Sequence, residues 1–379
     1  MKILYFGVYN PDYSRNRVLM KGLKANGVEI VECLVSAKSG LKHLKLFRRF
    51  MRSPGFDLMI VGFPGQEVMF LARLLVWRKP IIFDAFTSHY GGYILDRKKW
   101  PPNSLRAKYL KFLDKWSCKL ADLVLLDTQA HIDFFVNEFK LDREKFLRIF
   151  VGTDDDVFYP HAQFGKEVAN FDVLKNNSKL NVGVYPKETP KDADKFLVHF
   201  HGYHIPLQGV KYIIKAAKLL EKDNIHFNII GNGQMFNDDL RLAESLSVGN
   251  IRFLEPVPYR ELPSFMAKAD VCLGIFGDSP KTDLVIPNKV YEAMAMGKPI
   301  ITADTPAARE LLSDGENVLF CRKADEKDLA EKIRFLQNSP DYGRIIGEGA
   351  RKLFKENLTG GILAAELLKC INEKGLLSK

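Results

Sequence analysis

No run of eighteen apolar residues occurs in the 379-residue chain, which argues against a simple membrane-spanning helix. Cysteine is sparse and scattered. Cys33, Cys118, Cys272, Cys321 and Cys370 show no CxxC or CxxH spacing, so reduced, packed thiols are expected, and neither a disulfide framework nor a zinc site. A nicotinamide-type GxGxxG is missing, as are helix-turn-helix, RNA-recognition and zinc-finger patterns, so no nucleic-acid partner is expected. The opening residues MKILYFGVYN are too short in their apolar part for a secretory signal and read as a first strand, which makes a cytoplasmic location the expectation. Acidic residues are under-represented in one part only. Residues 1–160 hold 26 Lys/Arg against 17 Asp/Glu, whereas residues 161–379 hold 30 against 29. A basic first half suggests an anionic partner there, such as acidic lipid or a phosphorylated acceptor, with a solvated basic surface as the competing reading.

What is present is a repeated alternation of short apolar runs and helical patterns, the mark of α/β domains with parallel sheets. Strands are predicted at 3–8, 29–34, 58–61, 80–84, 123–126 and 147–150, with helices such as 15–26, 66–77, 105–120 and 129–139 between them. The polar, Lys/Asn/Asp-rich stretch around YPKETPKDADK breaks that rhythm. A second alternation follows, with strands predicted at 196–201, 226–230, 251–254, 271–275, 299–302 and 318–321. The length also favours two domains. The divisions expected are a first domain at 1–160, a linker at 161–194 and a second domain at 195–355. A last helix at 356–379 would pack back on the first domain.

The most informative segment is IPNKVYEAMAMGKPII, residues 286–301. Pro287 sets a turn, Asn288 is a good N-cap, helix formers run from Lys289 to Met296, Gly297 suits a helix stop and Pro299 opens an apolar strand. A helix start carries unpaired N–H groups and partial positive charge, so with Lys289 beside it the segment after Pro287 suits a phosphate. Glu292, one turn on, suits ribose hydroxyls. A plain helix with a solvated Lys and Glu is the alternative. Gly202 and Gly209, with Gln208, follow another strand, and Gly231 follows the next; glycines there let backbone approach a ligand. In the first half, Arg15 and Arg17 lie where a phosphate or acidic acceptor would meet a helix start, or are merely exposed. Asp84, Ser88 and His89 close a strand at its carboxyl end, where an α/β domain presents groups to a reacting hydroxyl, unless Asp84 is only a cap. Residues 41–52 interleave Lys42, Lys45, Arg48, Arg49 and Arg52 with Leu and Phe. They form a basic amphipathic helix suited to an anionic membrane surface, or to packing on the core.

In this order the segments resemble the family 4 glycosyltransferases of the GT-B fold. VGTDDDVFYP at 151–160 is similar to the family's NGVDxxxFxP, and FNIIGNGQ to its strand and glycine turn. IRFLEPVPYRELPSFMAKADVCL and YEAMAMGKPIITADTPAARELLSDGENVLF resemble the two stretches that follow in that family. The resemblance implies two Rossmann-like domains facing each other across a cleft. It implies transfer of a sugar from a nucleotide sugar, with retention and without metal or other cofactor, to a glycan or lipid-diphosphate-linked acceptor in cell-surface polysaccharide biosynthesis. It also implies that Glu292 meets the donor ribose and that Asn288 to Val290 seat the diphosphate. The chain departs from the pattern at Leu284, where the first of two paired glutamates would stand, and at Gln208, where a diphosphate-clamping lysine would stand. Lys281 and Lys289 are then the candidates for the missing charge, with Asp84 orienting a hydroxyl. Two other readings stay open: a nucleotide-sugar epimerase on the same fold, and a non-catalytic nucleotide- or membrane-binding protein.

Overall fold

The computed structural model describes residues 1–36, 39–160 and 195–377; the expected linker at 161–194 lies outside them. The chain divides into two compact units. One comprises Met1–Asp154, Leu284–Ile286 and Glu356–Lys379, the other Asp155–Asp283 and Pro287–Lys355.

The first unit holds a six-stranded sheet of β1 (Lys2–Gly7), β2 (Glu29–Leu34), β3 (Leu58–Val61), β4 (Ile81–Phe86), β5 (Leu123–Leu126) and β6 (Phe146–Arg148), in the order β2-β1-β3-β4-β5-β6. Its helices are α1 (Ser14–Ala25), α2 (Lys42–Phe50), α3 (Met69–Leu75), α4 (Leu105–Leu120) and α5 (Gln129–Phe139). All strand pairs are parallel. Parallel strands are covered on both faces, which is why LMIV of β3 and LVLL of β5 are apolar throughout and wholly buried. The edge strand β2 needs no such run, and of its six residues only Cys33 is fully buried.

The second unit repeats the plan with β7 (Phe196–His201), β8 (Ile225–Ile230), β9 (Ile251–Leu254), β10 (Val271–Leu273), β11 (Ile300–Ala303) and β12 (Leu319–Cys321). Between and after them come α6 (Val210–Leu219), α7 (Phe236–Ser245), α8 (Leu262–Lys268), α9 (Asn288–Met296), α10 (Pro306–Arg309), α11 (Glu326–Asn338) and α12 (Pro340–Asn357). Its parallel order, β12-β11-β10-β7-β8-β9, is the Rossmann order read from the other edge. The order reverses between β7 and β10, and ligands of open α/β sheets bind beyond the carboxyl ends of the strands at such a reversal. The last helix, α13 (Gly360–Glu373), belongs to the first unit and packs on α1, with Gly22 and Gly360 letting the two backbones approach. Among the described residues no helix is long and apolar enough to cross a membrane. Cys33, Cys118, Cys272 and Cys321 are buried as free thiols, and burial pushes the Cys272 thiol up to about 12.

Candidate functional site

Every residue of α9 from Lys289 to Met296 is buried, so the helix carries two ionisable groups, Lys289 and Glu292, into the interior. Spaced three apart, they share one face of the helix. Its start differs from the sequence expectation. Pro287, extended at φ −72° and ψ 150°, is the N-cap, and Asn288 is the first helical residue with no side-chain cap. A helix opening on X-Pro-Asn favours proline in the extended position, since its ring already fixes φ. The Val290 N–H is also committed, donating to the Pro287 carbonyl at 3.0 Å, so it is not a spare donor for phosphate. Gly297 ends the helix in the left-handed conformation, as its position suggests.

The Lys289 ammonium donates to the amide oxygen of Gln208 and sits 3.6 Å from the centroid of the Phe200 ring. A neutral amide and an aromatic face compensate a buried cation only in part. Burial drives the Lys289 pKa well below its ordinary 10.5, with the charge of Glu292 pulling it partly back. Gln208 closes the 3-10 turn Pro206–Gln208, and Gly209 after it caps α6. Gln208, where the resemblance would place a lysine, therefore touches the Lys289 ammonium.

Two glycines have steric reasons to be there. Gly202 has φ +150°, which disfavours any side chain, and a Cβ there would lie 2.9 Å from the Lys289 Nζ and push the ammonium aside. A Cβ on Gly231 (φ +141°) would lie 2.0 Å from the Gly202 carbonyl oxygen, so the turns after β7 and β8 pack backbone against backbone. Lys281 lies half-buried on the separate 3-10 turn Pro280–Asp283.

Glu292 has a partner that the sequence analysis did not single out. Its Oε2 is 2.7 Å from the His201 Nε2, and the His201 Nδ1 is 2.9 Å from the His199 Nε2. The signal was present: in VHFHG the histidines alternate, so a strand puts both on one face. His204 was likewise passed over. It is fully buried, its Nδ1 lies 2.7 Å from the Asp239 Oδ2, and its backbone bonds Asn232 and Met235 to hold the turn after β8.

In the first unit the expected site residues have internal partners. Arg15 and Asp84 pair with each other. Both are buried, and the Arg15 Nε is 3.0 Å from each Asp84 oxygen while its Nη1 donates to the carbonyls of Ile149 and Phe150. Burial raises the Asp84 pKa and Arg15 opposes it. Ser88 is buried too: its hydroxyl donates to Asp114 at 2.7 Å and accepts from the Gly91 N–H, which makes it a turn-former. Arg17 reaches the Asp12 carbonyl and lies 3.3 Å from Asp154. His89 is half-exposed, its N–H donating to Asp114 and its ring edge-on to Tyr93. Among the described residues, the run Asp154–Asp156 alone groups three metal-ligating side chains, and Asp154 already pairs with Lys21 at 2.7 Å.

The geometry concentrates at the ends of β7 and β8 and in α9, and the comparisons bear on that same stretch. Residues 195–339 match the family model described as Glycosyl transferases group 1. This group 1 segment begins one residue before β7 and includes Gly202, Gln208, Lys289 and Glu292. An uncharacterized glycosyltransferase of Methanocaldococcus jannaschii is 27% identical over 194 residues, which cover 49% of this chain and 47% of that protein. The capsular polysaccharide biosynthesis glycosyltransferase CapM of Staphylococcus aureus is 25% identical over 187 residues, 47% of this chain and 46% of its own length. The chain thus matches about half the length of these curated relatives. Among solved structures, Anabaena HepE in complex with UDP superposes with a TM-score of 0.71 at 14% identity, covering 98% of this chain and 99% of that one. At that identity the likeness establishes the fold, which is GT-B: two Rossmann-like units with parallel sheets. The group 1 segment and its relatives support a transferase enzyme.

Proposed function

We propose that the protein is a retaining glycosyltransferase of family 4. It takes a sugar from a nucleotide-sugar donor and delivers it to a glycan or lipid-diphosphate-linked saccharide in cell-surface polysaccharide biosynthesis. The observation that carries the reading is the buried Lys289 ammonium between Gln208 and Gly202, at the strand end beside the sheet's reversal point, inside the group 1 segment. A cation held there by neutral partners is poised for an anion. It would stabilise the charge that develops on a departing diphosphate, which is where electrostatic catalysis contributes most. Glu292 would accept from ribose hydroxyls, and Lys281 would add charge from its turn. UDP is the first donor nucleotide to test, because HepE has been solved with UDP and with UDP-glucose.

With the diphosphate countered by lysine, no metal ion is required, so turnover in EDTA should equal turnover without it. Asp84 has no part in this proposal, since its carboxylate is spent on Arg15. A thermal-shift panel of UDP, GDP and ADP, followed by incubation with the matching nucleotide sugars, tests the reading. Stabilisation by one nucleotide and transfer to an acceptor support it. An isomerised donor in the absence of acceptor would replace it by an epimerase, and no response to any nucleotide would refute it.

The acceptor side is proposed to work in the cytoplasm at an anionic membrane surface. On α2 only Leu46 is fully buried; Leu44 and Phe47 face outward. The pattern continues beside and along the next two helices, where Leu74, Trp77, Phe112 and Trp116 are exposed and Phe70 stacks on Phe112 at 6.0 Å. The three helices α2, α3 and α4 carry ten Lys/Arg and one acid, the buried Asp114. Exposed aromatic and aliphatic side chains among cations suit the headgroup region of an acidic bilayer. Sedimentation with phosphatidylglycerol vesicles, but not with phosphatidylcholine ones, is the expected result. Binding unaffected by Trp77→Glu together with Leu74→Glu would refute this face.

A further inference from the structure

Glu292, His201 and His199 form a hydrogen-bonded line through the second unit, and its two histidines have no part in the chemistry proposed above. All three are nearly inaccessible, at 3%, 9% and 1% exposure. Burying a carboxylate and two imidazoles is unfavourable unless each is satisfied by a partner.

The protons along the line can be assigned. The His199 Nδ1 is buried with no hydrogen-bond partner, so it is either a bare lone pair or a stranded N–H. A stranded buried donor is the costlier of the two. If Nδ1 is bare and His199 neutral, the proton sits on the His199 Nε2, which donates to the His201 Nδ1. The His201 Nε2 then carries a proton and donates to Glu292, which is an ionised acceptor. Burial independently keeps His199 neutral, holding its pKa well below the ordinary 6.5, and any positive charge on His201, Lys289 or Lys298 acts in the same direction. Either alternative, a protonated Glu292 donating to His201 or a doubly protonated His201 donating both ways, makes the His199 Nε2 an acceptor and leaves a stranded His199 Nδ1–H.

We propose that His201 is a positioning residue for nucleoside recognition. Its Nε2–H fixes the ionised Glu292 carboxylate as an acceptor for the ribose diol, and His199 fixes the tautomer of His201. This rests on the nucleotide reading above and deepens it. It assigns the discrimination of ribose hydroxyls to a three-residue line rather than to one glutamate. The metal-ligand style of orientation, in which a second group sets which imidazole nitrogen carries the proton, is the same physical device.

The experiment uses the full chain. The nucleoside diphosphate that stabilises the protein among UDP, GDP and ADP is titrated calorimetrically beside its 2′,3′-dideoxy counterpart, on the wild type, His201→Leu and His201→Gln. The wild type should prefer the ribose form by roughly 10- to 100-fold, the range expected of hydrogen bonds to a charged group. His201→Leu should lose most of that preference, with weaker binding of the ribose form and little change for the dideoxy form. His201→Gln, whose amide can still donate to Glu292, should recover much of it. A merely structural histidine would weaken both ligands alike. Should His201→Leu fail to fold, nitrogen-15 spectra of the wild-type histidines decide. Both rings are expected as neutral Nε2–H tautomers, and an Nδ1–H form of either would overturn the assignment. Full preference retained in a folded His201→Leu overturns it while leaving the nucleotide reading intact. A wild type that binds no nucleoside diphosphate overturns both.

Discussion

Replacing Lys289 by Met separates two effects that usually fall together. Met keeps the length and the apolar stem and removes the charge. In the ligand-free protein the ammonium is held in surroundings that favour its neutral form, as its depressed pKa indicates. Removing a charge that its surroundings disfavour should therefore stabilise the free protein and raise its Tm. The lost bond to Gln208 subtracts little, because the half-exposed amide finds water. Nucleotide binding should move the opposite way. A charge-assisted hydrogen bond to phosphate contributes about 1.5–3 kcal/mol, so UDP affinity should fall roughly 10- to 150-fold. Differential scanning fluorimetry without ligand and calorimetry with UDP read the two arms. Proton linkage supplies a third arm. Below pH 10.5 an unfolded lysine is protonated, whereas the buried one loses its proton at a lower pH, and a bound diphosphate would restore it. UDP binding at pH 8–9, in buffers of different ionisation enthalpy, should show proton uptake in the wild type and less in Lys289→Met. A variant that is less stable than wild type, or that binds UDP equally well, would refute the reasoning.

Two further outcomes follow from buried ionisable groups elsewhere. His199 has a depressed pKa, so above its ordinary 6.5 neither the folded nor the unfolded chain binds its proton, and its full contribution is present. As pH falls below 6.5 the unfolded chain takes up a proton that the folded one refuses, so stability falls by up to about 1.4 kcal/mol per pH unit. Urea unfolding at pH 5 and 7 should show a smaller pH difference in His199→Phe; equal differences would mean that His199 titrates in the folded state. Asp84→Asn leaves the buried Arg15 guanidinium without its counter-charge and should cost about 3–5 kcal/mol. The double replacement Arg15→Met with Asp84→Leu should recover most of it, and a double variant as unstable as the single one would show that the pair contributes more than mutual compensation.

Local signals were read well where one segment carries the whole cause. Strands such as β3, β5 and β9 run over the residues their apolar runs indicate, and α4 and α5 begin after Ser104 and Thr128, which cap them as short polar residues do. Strand ends moved by a residue or two, for example β4 to Phe86 and β6 to Arg148, because the neighbouring strands decide where pairing stops. Asn288 shows how a local rule fails: Asn is a good cap, but Pro287 already occupies the extended position before the helix.

The sequence by itself determined the two α/β units, the strand-end glycines and the presence of a lysine and a glutamate three apart on one helix. These depend on composition, periodicity and short-range stereochemistry. Only the tertiary structure decided what those charges face. Lys289 meets Gln208 across 81 positions, Glu292 meets His201 across 91, and Asp84 meets Arg15 across 69. Such pairings arise when parallel strands distant in the chain are set side by side. Asp84 is held by Arg15 within the first unit, and β7 sets two histidines in line with Glu292 in the second.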